Sequence, residues 1–215
     1  MVENDIRLGV THSSCLVLFI FYMLFTTSIS ANIDLDHHKS GELVGASMAY
    51  LIDESAQLKS TDLPAHGHTK WLISNQETLS LGYSTAAVWL DIALINSGPH
   101  ADWFLEVAYP VLDKVDVHVG YQNSSEEYHL GDFVNFNERP INHRNFVIPL
   151  SLKLNETARV LIRVQSSTSL QVPIRLWQQT DFYDSEQGNL VLQWIYCGFS
   201  LVMTFYNLCL FYYSR

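Results

Sequence analysis

Apolar and polar residues alternate with a period of two through most of the chain, the pattern of strands that bury one face. Val88, Leu90, Ile92 and Leu94 fall on one side of such a strand, and Val115, Val117, Val119 and Tyr121 on one side of another, opposite Lys114, Asp116 and His118. Ala158, Val160, Ile162 and Val164 oppose Arg159, Arg163 and Gln165, while Leu170, Val172, Ile174 and Leu176 oppose Gln171, Pro173 and Arg175. Shorter strand-like pieces precede these, at Tyr50 to Ile52, Trp71 to Ile73 and Thr78 to Leu81. Turn-forming residues separate the runs, at Asn96 to Gly98, Asn123 to Ser125, Gly131 and Asp132, Asn155 and Glu156, and Ser166 to Ser169. Many short one-sided strands at this spacing predict two antiparallel sheets packed face to face. On this reading Ile162 is a core residue, and Arg163, on the opposite face, is at most a surface ion pair.

The pattern stops at both ends. An uncharged run from Cys15 to Phe25, followed by small residues to Ala31, predicts that residues 1–31 are a secretory signal or an uncleaved N-terminal anchor. Residues 32–46 are polar and aperiodic and read as a loose leader to a domain spanning 47–178. Residues 179–188 read as a short acidic linker, and no charge interrupts residues 189–213. As a helix, about 25 residues rise roughly 37 Å, enough to cross a ~30 Å hydrocarbon layer with some tilt. The predicted fold is therefore all-β, an antiparallel sandwich, followed by a transmembrane α-helix.

Charge narrows the partners. Between Asn32 and Gly188 stand 20 Asp and Glu against 10 Lys and Arg, an acidic surface that excludes nucleic acid as a partner. All three cysteines, Cys15, Cys197 and Cys209, sit in the apolar runs, so the domain is held without disulfides. No G-x-S-x-G, P-loop or H-E-x-x-H is present, and the adjacent Glu126 and Glu127 do not supply two carboxyls facing across a cleft. His37-His38 and His66-x-His68 lack a third ligand at a spacing that defines a metal site. The expectation is a binding domain without catalytic residues, metal or cofactor.

The candidate ligand contacts are of two kinds. Trp89, Trp103 and Trp177 are aromatic faces of the kind that stack on pyranose rings, provided they are exposed; packing in the sandwich is the competing use. Arg139, His143, Arg144 and Asn145 cluster within seven residues and suit a clamp on a polar or anionic ligand. The competing use is structural, with the arginines paired to acids such as Asp132 or Glu138 and pinning a strand crossover.

The run GDFVNFNERPINHRNFVIPL, Gly131 to Leu150, followed by LIRVQSSTSLQVPIRLW, Leu161 to Trp177, resembles the second extracellular sensor domain of the bacterial 7TM-DISM receptors. VWLDIALINSG, Val88 to Gly98, and YPVLDKVDVHV, Tyr109 to Val119, fit it in order and spacing. The resemblance covers roughly residues 47–213, with Asn135 where the family usually has proline. It implies a jelly-roll-like sandwich of the carbohydrate-binding-module type, and it implies that residues 189–213 are the first helix of a 7TM region. It further implies a sensor in the periplasm, anchored in the bacterial inner membrane, with a small-molecule or carbohydrate ligand and a homodimer among its partners. The implied output, a diguanylate cyclase or histidine kinase, would lie downstream of this chain. Two other uses stay open for such a domain, a protein-interaction module and a tethered carbohydrate-active enzyme.

Overall fold

The computed structural model describes residues 32–214. The expected export segment, residues 1–31 with Cys15, lies outside the described residues, as does Arg215. In chain order the strands are β1 (Ile33–Asp34), β2 (Ala49–Asp53), β3 (Leu72–Ile73), β4 (Leu79–Tyr83), β5 (Ala87–Ile95), β6 (Asp102–Val107), β7 (Lys114–Gly120), β8 (Ser125–Leu130), β9 (Phe146–Ser151), β10 (Thr157–Gln165), β11 (Ser169–Val172) and β12 (Ile174–Gln178). One long helix, α1 (Gln179–Tyr213), follows them.

The predicted sandwich is present. One layer has the order β3-β2-β5-β10-β7-β8, with β1 added parallel to β5. The facing layer consists of the pair β11-β4 and the three strands β12-β6-β9. The alternating residues of β5, β7 and β10 meet Trp103, Leu105, Val107, Phe146, Ile148, Leu170, Val172, Ile174 and Leu176 in one buried core. Ile162 is fully buried there.

The last predicted strand is two. Pro173 stands between β11 and β12, and having no N–H it cannot donate to a ladder, so the line breaks there and joins the two parts of the facing layer. Its carbonyl still accepts from Ala108 N at 2.9 Å. On the partner strand β4, Leu81 is the extra residue where the register shifts between Leu170 and Gln171, and Gly82 takes the φ of +67° that such a bulge demands.

The segment expected as a loose leader is built into the sandwich. Leu35 and Val44 are buried in the core, and the N–H groups of Gly41 and Val44 donate to Leu176 O and Ile174 O. Ser97 Oγ donates to Asp34 at 2.7 Å and holds that carboxyl below its ordinary range. The polar composition of this segment concealed that Ile33, Leu35 and Val44 belong to the core.

The outer face of the large sheet is also covered, by the loop between β2 and β3. Trp71 and Leu63 lie over Trp89, Leu161 and Ala49 in a second small core. Asp91, fully buried in the middle of β5, receives both Nε and Nη2 of Arg159 at 2.9 Å. His66 Nδ1 reaches the same carboxylate at 2.9 Å, and Arg159 Nη2 also donates to Pro64 O. An isolated buried carboxylate would be costly, and this fork and imidazole satisfy it.

Candidate functional site

The predicted contacts separate into buried and gathered residues. Trp89 is 1% exposed, sealed under the loop and stacked on His118 with centroids 5.9 Å apart. Trp103 is likewise 1% exposed, in the core between the sheets, its indole N–H donating to His100 O at 3.0 Å. Neither offers a face to a ligand, which corrects the expectation of exposure; large aromatic rings in a sandwich lose most free energy if left in water.

Of the other five, Arg144, Asn145 and Trp177 meet in one cleft along the first turns of the helix, with His143 beside them. Gln178 pairs with Trp103, which pairs with Leu150, so α1 starts at that end of the three-stranded sheet. It then turns back along the outer face of the sheet, because Glu186 reaches His143 Nε2 at 3.2 Å and Arg144 Nη2 at 3.4 Å, just before the first residue of β9. The segment read as an acidic linker is thus the first turns of a continuous helix. Phe182 docks it, meeting Phe104 at 5.3 Å, His143 at 5.2 Å and Trp177 at 5.9 Å, all edge to face.

A cleft of about 320 Å³ opens between sandwich and helix, lined by Glu106, Ala108, Arg144, Asn145, Arg175 and Trp177 on one side and Phe182, Ser185 and Glu186 on the other. Glu106 organises its floor. This buried carboxylate accepts from Asn145 Nδ2 at 2.6 Å and from Trp177 Nε1 at 2.8 Å, which orients both side chains. Arg175 lies directly across from Glu106 on β12 and donates to Gly41 O at 2.6 Å. Gly41 is obligatory here: its φ is +83°, and a Cβ would stand 2.6 Å from the ring of Trp177.

Arg139 and His143 do not line the cleft, and His143 contacts Phe182 and Glu186 at its edge. The guanidinium of Arg139 sits 4.8 Å from the centres of both Phe136 and Phe146, and its Nη1 donates to the carbonyls of His143 and Arg144. It therefore pins the crossover through backbone carbonyls and aromatic faces, while the partner of Arg144 is Glu186 on the helix, so Asp132 and Glu138 serve neither. His66 and His68 are turned to Asp91 and to Lys70 N.

Glu106, Arg175, Phe182 and Glu186 escaped the sequence reading. Two left a signal: Glu106 is the one charge inside the apolar run Trp103 to Val107, and Phe182 is a large apolar ring in the polar stretch Gln178 to Gly188. Chemically the cleft presents two guanidinium groups, a carboxamide and an indole edge beside the carboxylates of Glu106 and Glu186. The helix itself is long and apolar enough to cross a membrane.

Among known protein families, the model of 7TMR-DISM extracellular 2 matches residues 45–178. No curated protein matches the chain.

Proposed function

This chain belongs to the 7TMR-DISM extracellular 2 family, and from that premise we propose that it is the ligand-sensing part of a membrane receptor in the bacterial inner membrane, with its sandwich in the periplasm. The observation that carries this reading is the cleft shared by the sandwich and the foot of the apolar helix. A ligand shifts a receptor only through a difference in affinity between two states. Support for such a difference comes from Glu186 on the helix, which pairs with the guanidinium of Arg144 at 3.4 Å. A hydroxylated or anionic ligand, such as a small carbohydrate, that takes Arg144 competes with Glu186 and changes how firmly the helix foot is held. The helix carries that change across the membrane to an output domain downstream.

The test is a thermal-shift screen of the detergent-solubilised chain against neutral and acidic mono- and disaccharides, followed by calorimetric titration of hits. Trp177→Ala and Arg144→Ala should each weaken a true ligand about tenfold, some 1.4 kcal/mol. A ligand whose affinity survives both substitutions does not bind in this cleft, and the reading then fails.

A further inference from the structure

We propose that the end of the sandwich from which the helix departs rests on the lipid bilayer, held there by exposed apolar side chains on its loops. The inference builds on the reading that α1 crosses the membrane. Its first step is direction: α1 begins beside Leu150 and passes Glu186 next to Arg144, so it leaves the sandwich at the end where β9 begins. From Glu186 to Leu190, the start of the exposed apolar stretch, four residues rise ~6 Å, comparable with a headgroup layer of roughly 5–7 Å. The loops of that end therefore lie at the level of the headgroups.

The loop after β2 departs from that end, and those after β4, β6, β8 and β10 converge there: Thr85, Asp113, Phe133 and Ser167 line one cleft, and Ser167 N donates to Asp113 Oδ2 at 2.6 Å. They expose Tyr83 (84%), Phe133 (80%), Val111 (48%) and Phe136 (47%). The loops at the opposite end, after β5, β7 and β9, expose one large apolar residue among the described residues, Leu154. Aromatic rings left in water on one end only, at the depth where an apolar helix enters the hydrocarbon, match the preference of such rings for the membrane interface. A bilayer contact of this kind gives the sandwich a second support beside the helix, so that a change at the helix foot works against a fixed body.

The full chain, with Cys15→Ser, Cys197→Ser and Cys209→Ser, is labelled with an environment-sensitive fluorophore at one introduced cysteine and reconstituted into phosphatidylethanolamine and phosphatidylglycerol vesicles carrying nitroxide lipids. A probe at Asn137→Cys, between the aromatic loops, should be quenched by shallow nitroxides and shifted to the blue; a probe at Asn123→Cys, at the other end, should be neither. Adding Phe133→Asp and Val111→Asp should abolish the quenching at Asn137, and an exposed double substitution leaves the core untouched. If the Asn137 probe behaves like the Asn123 probe while a probe at Leu201→Cys is quenched by deep nitroxides, the helix crosses and the loops stand clear, which overturns the inference alone. If the Leu201 probe is unquenched, the membrane reading falls and takes the inference with it.

Discussion

Ile162 and Arg163 are neighbours on β10 that face opposite ways, and both turn out to be interior. Ile162 lies between the sheets, so Ile162→Ala should cost about 2–5 kcal/mol, the transfer energy plus the cavity. Arg163, read from the sequence as a surface residue, has a side chain only 12% exposed. It donates to Ala56 O at 2.9 Å and to Gln165, and pairs with Asp116 at 3.5 Å, tying the covering loop to the sheet. Removing it strands the carbonyl of Ala56 and leaves the carboxylate of Asp116 with His129 alone, so Arg163→Ala should cost about 2–3 kcal/mol in denaturant titration, not the ~1 kcal/mol of an exposed pair. A loss below ~1 kcal/mol would mean that these contacts are incidental. Asp53 anchors the same loop: burial pushes its carboxyl up, but Ser55 Oγ and the N–H groups of Leu58 and Ser55 outweigh that and hold it below 3.8. A carboxylate depressed in the native state contributes stability that is complete above its unfolded value and lost as pH falls through its native one. Stability should therefore drop below about pH 3.8, and Asp53→Asn should flatten part of that acid limb in melts taken from pH 6 to pH 2.

At the scale of elements, the informative one is the first part of α1. Gln179 to Gly188 is polar, with Phe182 as its one buried side chain, so its packing on the sandwich centres on that ring, with the pairs of Glu186 to His143 and Arg144 beside it. Phe182→Ala should release it, since a truncated buried Phe costs about 3 kcal/mol and more. Hydrogen exchange of the amides from Asp181 to Gln187 should speed by roughly 100-fold, with β10 unchanged, because opening is local to the foot. Exchange that is equal in the two proteins would show the foot to be held by something other than Phe182.

For the whole molecule, the proposed arrangement, a sandwich on one side of a membrane and a helix through it, fixes the orientation of everything else. An export-dependent reporter fused after Gly188 and a cytoplasm-dependent reporter fused after Tyr213 should both be active in a bacterial host. Silence of the first reporter would place the sandwich on the wrong side and end the sensor reading. The same arrangement puts the cleft beside the helix foot rather than on the broad outer face of the large sheet, which its own loop has sealed with Trp71 over Trp89.

The period-two pattern by itself determined the sandwich, because a strand buried on one face must alternate, and Val88, Val115, Val160 and Leu170 could sit nowhere but between two sheets. The long apolar helix was legible too, as an uncharged run of residues 189–213 long enough in helical form to cross a membrane. The cluster from Arg139 to Asn145 was also legible, since those residues are near one another in the chain. What tertiary structure alone decided is which partners come from afar. Whether Trp89 and Trp177 are covered depends on a loop and on Gly41, distant in sequence, and nothing local to either tryptophan records it. The cleft exists because β6, β9, β12 and the helix foot each bring part of it to one place, and Glu106 acquires its meaning only when Asn145 and Trp177 arrive beside it. Periodicity reports which face a residue turns inward; only the folded chain shows what it finds there.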